Sequence, residues 1–397
     1  MMPTLLQINV TANWGSTGKI AEDIGRIAIE AGWESWIAYG RGNPHSQSKL
    51  IRIGSDFDMN LHGLQTRLFD NHGLASNKAT KHFIKQIKAI NPDIIHLHNI
   101  HGYYINYEIL FDYLKEWGGP VVWTLHDCWP FTGHCAYYEF SNCYRWKSRC
   151  YDCPQIKSYP ASLCYDRSTK NFFDKQESFL GCKNLTIVAV SDWLRGELKK
   201  SFLKEYPLLT IHNGIDLSIF KPSAIKACNN NGKNILGVAS VWDKRKGLEE
   251  FVKLRDLLPE NYLITLVGLS KEQISSLPDG IIGIRRTENV QQLVDLYSMA
   301  DVYVNPTLED NFPTTNLEAL ACGTPVITYK TGGSIEAIDA VTGITVEYKD
   351  IHSLSEEIKH ICELSLFFRD DCRKRAEKFY NKSIVFQQYL KLYKSLL

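Results

Sequence analysis

The feature that most constrains the fold of this chain is the repeated alternation of short apolar, β-branched runs with longer segments of helical periodicity. Several runs are continuously apolar, which is typical of strands buried on both faces of a parallel sheet. Alternating strands and helices predict doubly wound α/β units. One series predicts strands at 5–10, 35–39, 93–97, 121–125 and 185–190, and a second at 209–212, 235–239, 263–267, 302–305, 325–329 and 344–347. Two series predict two such domains.

The length of 397 residues also favours two domains over one core. We place the boundary near Pro207, which gives a first domain at 1–206 and a second at 207–378. The first domain would contain a cysteine-rich insertion at about 128–164. The last segment, 379–397, carries apolar residues at helical spacing, so we predict an amphipathic helix that packs back on the first domain.

Charge and hydropathy exclude several functional classes. The 45 Lys and Arg residues nearly cancel the 44 Asp and Glu residues, which argues against a nucleic-acid partner. The N-terminus has no basic region or cleavage site of a signal peptide, and no run approaches the roughly 18 apolar residues of a membrane span. We therefore expect a cytoplasmic protein whose thiols stay reduced.

The segment 305–327 carries the strongest functional signal. A strand ends in a polar loop, Pro313 stands where a helix begins, and Gly323 closes that helix. Asp310 lies at the carboxyl end of the strand, where open α/β sheets bind ligands, and Glu318 lies one turn inside the helix, placed to accept hydrogen bonds from a ribose diol. Phosphate oxygens can bind the unpaired N–H groups at the helix start, around Thr314, Thr315 and Asn316.

This segment resembles the retaining GT-B glycosyltransferases of family 4 (glycosyl transferases group 1), of the bacterial polysaccharide-biosynthesis type. Their hallmark is an acid, seven intervening residues and a Glu, within a Phe-Pro, Leu-Glu-Ala and Gly-Thr-Pro-Val frame. The resemblance implies that Asp310 contacts the donor sugar and Glu318 the nucleotide ribose. The chain departs from the pattern in having Asp at the first place, preceded by Glu309. The alternative is an ordinary capped helix with solvated acids.

Two positions after the strand at 235–239 complete the resemblance on the donor side. The segment 243–248 is similar to the family's Lys-Gly element, whose lysine neutralises the donor diphosphate as charge builds on the leaving group. That role falls on Lys246. An arginine that often lies six residues earlier is Ser240 here, so Arg245 would supply the second charge. The alternative is a solvated basic turn.

In the first half, the loop after the first strand suggests a phosphate-binding element but not a Walker A motif, because Asn13 and Ile20 occupy the wrong positions. The resemblance implies that backbone N–H groups at Gly15 and Ser16 approach the donor diphosphate, and that His126 hydrogen-bonds the transferred sugar. A tight turn without ligand and a structural histidine are the alternatives. The neighbouring histidines are interpreted as cleft lining or as a satisfied polar network: His96, His98 and His101.

Four cysteines of the insertion have the spacing of a closed tetrahedral zinc site, with two of them in a Cys-x-x-Cys knuckle. They are Cys135, Cys143, Cys150 and Cys153. Such a zinc would be structural, because four thiolates leave no position for a substrate. A cluster of reduced thiols without metal is the other interpretation.

A predicted helix around Phe83 carries lysines on one side, at positions 78, 81, 85 and 88. A basic amphipathic face can rest on anionic lipid, which would suit a lipid-linked acceptor. An ordinary solvated helix face is the alternative.

Together the resemblance implies two Rossmann-like domains facing a central cleft and a retaining, metal-independent hexosyl transfer. The donor would be a nucleotide-diphosphate sugar, the acceptor a glycan or a lipid-linked oligosaccharide, and no catalytic cofactor would be needed. The enzyme would act in the cytoplasm, with peripheral contact to the inner face of the membrane. Two other functions remain open: a sugar-nucleotide epimerase on the same fold, and a non-catalytic module that binds sugar nucleotide.

Overall fold

The computed structural model describes residues 2–224 and 232–397. The chain divides into two compact units, one formed by Met1–His212 with Phe386–Leu397 and the other by Asn213–Val385. Each unit contains its own parallel β-sheet.

The first unit is built on a seven-stranded sheet with the order β3-β2-β1-β4-β5-β6-β7. Its strands are β1 Thr4–Asn9, β2 Glu34–Tyr39, β3 Lys49–Arg52, β4 Ile94–Leu97, β5 Val121–Leu125, β6 Leu185–Ala189 and β7 Leu208–Thr210. Its first helices are α1 Gly15–Glu30, α2 Asp56–Phe69, α3 Asn77–Ile90, α4 Tyr107–Trp117, α5 Ser168–Phe179 and α6 Asp192–Leu198. Every residue of β1, β4, β5 and β6 is buried, which explains why their sequences are predominantly apolar on both faces.

The second unit is built on a six-stranded parallel sheet with the order β10-β9-β8-β11-β12-β13. Its strands are β8 Lys233–Val238, β9 Tyr262–Val267, β10 Ile281–Ile284, β11 Val302–Asn305, β12 Val326–Tyr329 and β13 Gly343–Val346. Its helices are α7 Leu248–Leu257, α8 Lys271–Ser275, α9 Val290–Met299, α10 Thr314–Ala321, α11 Ile351–Leu364, α12 Arg369–Phe379 and α13 Lys382–Val385. The core combines both element types, with Phe251 and Leu254 of α7 packed in one cluster with Ile264 and Val302 of the sheet.

Both sheets have the strand order of a Rossmann fold, so the predicted α/β class is confirmed. In the second sheet, β8 lies between β9 and β11, and the chain therefore leaves β8 and β11 in opposite directions. Such a switch point opens a crevice at the carboxyl ends of the strands, where open α/β sheets bind their ligands.

The edges of the sheets differ from the sequence-based prediction. β3 and β10 were not predicted, because both are four-residue edge strands with only one buried position each. The strand predicted at 209–212 corresponds to β7, which pairs with β6 and so completes the first sheet instead of opening the second. For this reason the chain enters the second unit only after His212, beyond the predicted boundary at 206.

The C-terminal residues belong to the first unit, where α14 (Gln387–Leu396) packs against α1. The Tyr393 hydroxyl lies 2.6 Å from Nδ1 of His96, and Nε2 of the same ring lies 2.8 Å from the Thr124 hydroxyl. His96 is therefore part of a satisfied core network. Within residues 2–224 and 232–397, no helix is both long enough and apolar enough to cross a bilayer.

Candidate active site

The turn after β8 and the loop after β11 bring together three of the predicted donor-site residues. Lys246 lies at the end of a 3-10 turn, Lys244–Lys246, which Asp243 caps by accepting the Lys246 N–H at 3.1 Å. Lys246 Nζ is 2.5 Å from Asp310 Oδ2, and Arg245 Nη1 is 3.8 Å from the same oxygen. Arg245 also donates to the Glu309 carbonyl at 2.7 Å. Lys246, Arg245 and Asp310 therefore lie together at the switch point between β8 and β11.

Gly247 allows these two loops to meet. Its φ is +77°, and a Cβ at this position would lie 2.2 Å from the Pro306 carbonyl oxygen. The loops are then joined by the Leu308 N–H, which donates to the Arg245 carbonyl at 2.7 Å. A residue with a side chain would separate the basic turn from the loop that carries Asp310.

A third loop, after β12, supports Asp310 from its backbone. Gly332 has φ +48°, and a Cβ there would lie 2.1 Å from the Asp310 carbonyl oxygen. The Gly333 N–H donates to that oxygen at 3.0 Å. The pair Gly332-Gly333, in the loop after β12, therefore holds the acidic loop in position.

Asp310 is ionised in spite of its burial. Its side chain is 12% exposed, and removal from water favours the neutral acid. Lys246 and Arg245 outweigh this penalty and hold the pKa of Asp310 below its ordinary value. The site therefore contains an acceptor-only carboxylate next to two permanent donors, an arrangement suited to sugar hydroxyls and to phosphate oxygens.

Helix α10 begins immediately after this loop, and Pro313 at its N-cap supplies no side-chain hydrogen bond. Thr314 and Thr315 are half-buried at its first turn. The Asn316 side chain is fully buried and is bonded to Asn305 and Ser334, so it is committed to the core. Its N–H donates to the Pro313 carbonyl at 3.2 Å. The helix start can therefore offer an anion backbone N–H groups at Thr314 and Thr315, and not the Asn316 amide.

Glu318 lies one turn further along α10 and is half-buried. The Tyr297 hydroxyl of α9 donates to Glu318 Oε2 at 2.9 Å. Burial, together with the Glu318 charge, raises the pKa of Tyr297 well above its ordinary value, so the tyrosine remains a donor. One carboxylate oxygen is thus oriented by the protein.

An open cavity of about 610 Å³ lies at the carboxyl ends of β8, β9 and β10. It was not predicted from the sequence. It begins at Ser240, on the segment that leads into the basic turn, and Arg285 and Arg286 line its other side. Trp242 is anchored in its wall by a 2.9 Å hydrogen bond from its indole N–H to the Val267 carbonyl. The arginine pair was the available signal, but without β10 nothing in the sequence placed it near the donor residues.

In the first unit, Gly15 and Ser16 are exposed at the start of α1. Gly15 has φ +67°, and among residues 2–224 and 232–397 no atom lies within 4 Å of an added Cβ and no side chain caps the helix. Gly18, one turn on, packs against Thr11 and sets the angle at which the helix leaves the sheet. The N-terminus of this 16-residue helix is consequently open to an anion.

His126 follows β5 and is half-buried. Its Nε2 lies 3.2 Å from Nδ1 of His98, whose other ring nitrogen is 3.1 Å from Gln7 Oε1. Burial lowers the pKa of His126 to about 4, so the ring is neutral at physiological pH. A neutral imidazole can donate or accept a hydrogen bond at a substrate hydroxyl.

Asp127, the residue after His126, forms a second polar array with His101. This pairing was not predicted from the sequence. Asp127 is buried, and its Oδ2 lies 2.8 Å from Nε2 of His101. The other ring nitrogen of His101 lies 2.8 Å from the Tyr159 hydroxyl. His101 belongs to a satisfied polar network at the carboxyl edge of the first sheet, as one of the two interpretations expected.

The four cysteines of the insertion line one small cavity of about 10 Å³. All of them are free thiols. Among the described residues, however, no three of their sulfur atoms lie within 4.8 Å of one another. The sulfurs around a tetrahedral zinc are separated by about 3.8 Å, given Zn–S distances of about 2.3 Å. The arrangement therefore does not support the predicted zinc site.

Comparison with known families decides where this chain belongs. Residues 21–219 match Glycosyltransferase Family 4, and residues 223–379 match Glycosyl transferases group 1. The chain belongs to glycosyltransferase family 4. Family membership establishes it as a glycosyltransferase.

One relative matches this family 4 chain over nearly its whole length, and another matches about half of it. WcaC of Escherichia coli (strain K12), which its name assigns to colanic acid biosynthesis as a glycosyl transferase, is 24% identical over 99% of this chain and all of that protein. The N,N'-diacetylbacillosaminyl-diphospho-undecaprenol alpha-1,3-N-acetylgalactosaminyltransferase of Campylobacter jejuni is 29% identical over 48% of this chain and 55% of that protein.

Solved structures share the complete fold. Sucrose-phosphate synthase from Thermosynechococcus elongatus has a TM-score of 0.71 at 18% identity, with 99% of each chain covered. Anabaena HepE in complex with UDP has a TM-score of 0.68 at 14% identity, with 99% of this chain and all of that chain covered. The predicted GT-B fold of this family 4 enzyme is thereby confirmed.

Proposed function

We propose that this family 4 enzyme transfers a sugar from a nucleotide-diphosphate sugar to a glycan or lipid-linked acceptor, with retention of configuration, in polysaccharide biosynthesis. The observation that carries the proposal is the contact of Lys246 and Arg245 with Asp310, at the carboxyl ends of β8 and β11. A basic pair next to a buried carboxylate and an uncapped helix start matches the charges of a sugar diphosphate.

Each donor-site residue then has a chemical role. Lys246 and Arg245 neutralise the diphosphate as the bond to the sugar breaks, and the α10 N–H groups at Thr314 and Thr315 bind its oxygens. Asp310 accepts hydrogen bonds from sugar hydroxyls, and Glu318, oriented by Tyr297, accepts from the ribose diol. Since the protein itself supplies these positive charges, the transfer needs no divalent metal.

The cavity that begins at Ser240, which was not predicted from the sequence, extends the assignment of donor contacts to the nucleobase. It adjoins the basic turn through Ser240, and Trp242, Arg285 and Arg286 give it an aromatic side and a cationic side. A nucleobase has a flat face and acceptor atoms at its edge, which suit these side chains. We assign the cavity to the base of the donor.

Residues of the first unit have roles that stay predictions. His126 would hydrogen-bond the transferred sugar as a neutral imidazole, and the backbone N–H groups at Gly15 and Ser16 would contact the donor diphosphate. The polysaccharide role of WcaC and the diphospho-undecaprenol substrate in the name of the Campylobacter enzyme suggest a lipid-linked acceptor for this chain too.

A panel of nucleotide-diphosphate sugars, screened by thermal shift, tests the donor first. The sugar nucleotide that stabilises the protein most is then incubated with free glycans and with diphosphate-linked lipid acceptors, with and without EDTA. We expect an extended acceptor whose anomeric proton coupling in NMR matches that of the donor, at a rate that EDTA leaves unchanged.

Four outcomes would contradict the proposal. Conversion of the donor into an isomeric sugar nucleotide without any extended acceptor would identify an epimerase. Stabilisation by a donor without turnover, together with unchanged cell glycans when Lys246 and Glu318 are replaced, would identify a binding module. An inverted anomeric configuration, or a rate abolished by EDTA, would leave a glycosyltransferase with a different mechanism.

A further inference from the structure

Helix α2 of the first unit turns its apolar residues outward. Its buried positions include His62 and Thr66, and Nδ1 of His62 lies 2.8 Å from the Ser76 hydroxyl while its Nε2 accepts the Gly73 N–H at 3.1 Å. Four exposed apolar positions are spaced four, three and four residues apart along the helix, and they are Phe57, Leu61, Leu64 and Leu68. These side chains are 73%, 43%, 53% and 38% exposed, respectively.

This arrangement is the reverse of a helix that packs its apolar side on a core. Burial of apolar surface normally drives the packing of a surface helix, whereas here the inner side buries a single apolar residue, Met59, beside the hydrogen-bonded His62 and Thr66. Phe69, at the end of the helix, is also exposed, with 58% of its surface accessible. A continuous apolar surface of this kind marks an interaction site.

The cysteine-rich insertion extends the same surface. The Leu163 N–H donates to the Arg67 carbonyl at 2.8 Å, which places the end of the insertion against the last turn of α2. Leu163 is 68% exposed and Tyr165 is 62% exposed. An open groove of about 660 Å³ follows, lined by the aromatic side chains of Phe69, Tyr165 and Phe173. Its polar lining residues are Asp166, Arg167, Thr169 and Lys170.

Basic residues lie on the neighbouring helix. α3 buries Phe83 and Ile87, so the apolar side predicted from its sequence is occupied by the core. Its lysines at positions 78, 81, 85 and 88 are all exposed. α3 starts beside the loop before α2, since a Cβ on Gly54 would lie 3.1 Å from the Ala79 Cβ. The acids of α2 do not cancel these charges, because Asp56 pairs with Arg52 and Asp58 caps the helix at Ser55.

We propose that the outer face of α2, with Leu163 and Tyr165, inserts into the surface of an anionic lipid bilayer while the lysines of α3 contact its headgroups. The exposed leucine and phenylalanine side chains suit the acyl chains of such a bilayer, and the neighbouring lysines suit its anionic headgroups. The inference deepens the proposed function, since a membrane-bound enzyme meets a lipid-linked acceptor in two dimensions. The bilayer contact itself needs neither donor nor acceptor.

Flotation of the full chain with vesicles tests the inference. The vesicles contain phosphatidylcholine alone or phosphatidylcholine with one quarter phosphatidylglycerol, and neither substrate is present, so failure of binding is distinguishable from failure of the proposed transfer. We expect binding to the anionic vesicles, weakened by 0.5 M NaCl because exposed charges are screened. Leu61→Glu/Leu64→Glu and Lys78→Ala/Lys81→Ala should each lower the affinity roughly tenfold or more.

The matched control is Leu364→Glu/Phe368→Glu, which places the same charges at two apolar residues of the second unit that are more exposed, at 65% and 73%. It should bind vesicles like the unmodified chain, and all variants should retain the thermal unfolding midpoint. Equal loss in the control, or no binding to anionic vesicles, would overturn the proposal. A dimer in light scattering that Leu61→Glu/Leu64→Glu dissociates would also overturn it, since a second copy would then cover this face.

Discussion

The Gly332 Cα lies so close to the backbone of Asp310 that a side-chain carbon at position 332 would come within 2.1 Å of the Asp310 carbonyl oxygen. The carboxylate of Asp310 is held from its other side by Lys246 Nζ, at 2.5 Å. Loops from three neighbouring strands therefore determine where this acid lies, although the residues are far apart in the chain.

Replacing Gly332 with alanine should displace Asp310. The new methyl group would meet the carbonyl oxygen, and an alanine at φ +48° adds a strain of about 1 kcal/mol. We expect a lower unfolding midpoint and a large loss of transfer rate. Gly42→Ala is the control, because Gly42 has φ +90° but no atom within 4 Å of an added Cβ. Equal effects of both substitutions would show that Gly332 matters only for backbone strain.

Replacing Lys246 with alanine should lower kcat on the order of 10²- to 10³-fold, because the leaving diphosphate loses a preorganised cation. Steady-state kinetics with the selected donor measures the loss. Lys244→Ala, in the same turn but exposed to solvent, should retain nearly full activity. A change only in KM would instead show that Lys246 binds donor and transition state equally well.

Replacing Glu318 with glutamine should weaken nucleoside-diphosphate binding roughly tenfold, since a charged hydrogen bond to the ribose becomes a neutral one. Isothermal titration calorimetry measures this affinity. Glu363→Gln is a matched control, because Glu363 also accepts a tyrosine hydroxyl, that of Tyr262, at 3.1 Å. If Glu318→Gln binds as tightly as the unmodified enzyme, the ribose lies elsewhere.

The His126 imidazole should remain neutral when the pH falls from 8 to 5, because burial lowers its pKa to about 4. NMR of ¹³C-labelled histidine should follow this titration, and a midpoint near the peptide value of about 6.5 would contradict it. Below about pH 6.5 the unfolded chain gains a proton that the folded chain does not bind. The contribution of neutral His126 to stability is thus complete above that pH and is lost as the pH falls towards 4.

Because the contribution of neutral His126 to stability is lost at low pH, His126→Gln should change the pH dependence of unfolding. The free energy of unfolding, obtained from urea titrations at pH 7 and pH 5, should fall less between the two pH values in the variant than in the unmodified chain. An identical fall in both proteins would show that His126 does not contribute to the pH dependence.

The cysteines of the insertion should react at very different rates with iodoacetamide at pH 7.5. The hydrogen bond from Cys135 lowers the pKa of Cys153 to about 7, whereas burial raises the pKa of Cys150 to about 12. Because the thiolate is the nucleophile, mass spectrometry should find Cys153 modified well before Cys150. Protection of all four thiols that is lost when EDTA is added would show a bound metal, contrary to the arrangement of their sulfur atoms among the described residues.

The periodicity and local motifs of the sequence were sufficient for the α/β class, for the central strands and for the order of the donor-site residues. A central strand is continuously apolar because both of its faces are buried, and the start of α10 is marked by Pro313 directly after a polar loop. Such signals are local, so they can be found without knowing which elements become neighbours.

Only the tertiary structure decided what depends on neighbours. The edge strands β3 and β10 carry too few buried residues to have a pattern, and the cavity formed beside β10 was missed with them. The four cysteines have zinc-like spacing, but among the described residues the packing of the insertion brings no three of their sulfur atoms within 4.8 Å of one another. Periodicity shows that a helix has two faces, whereas the surrounding elements determine which face is buried. For α2 they bury the face with Met59, His62 and Thr66 and leave the leucines exposed.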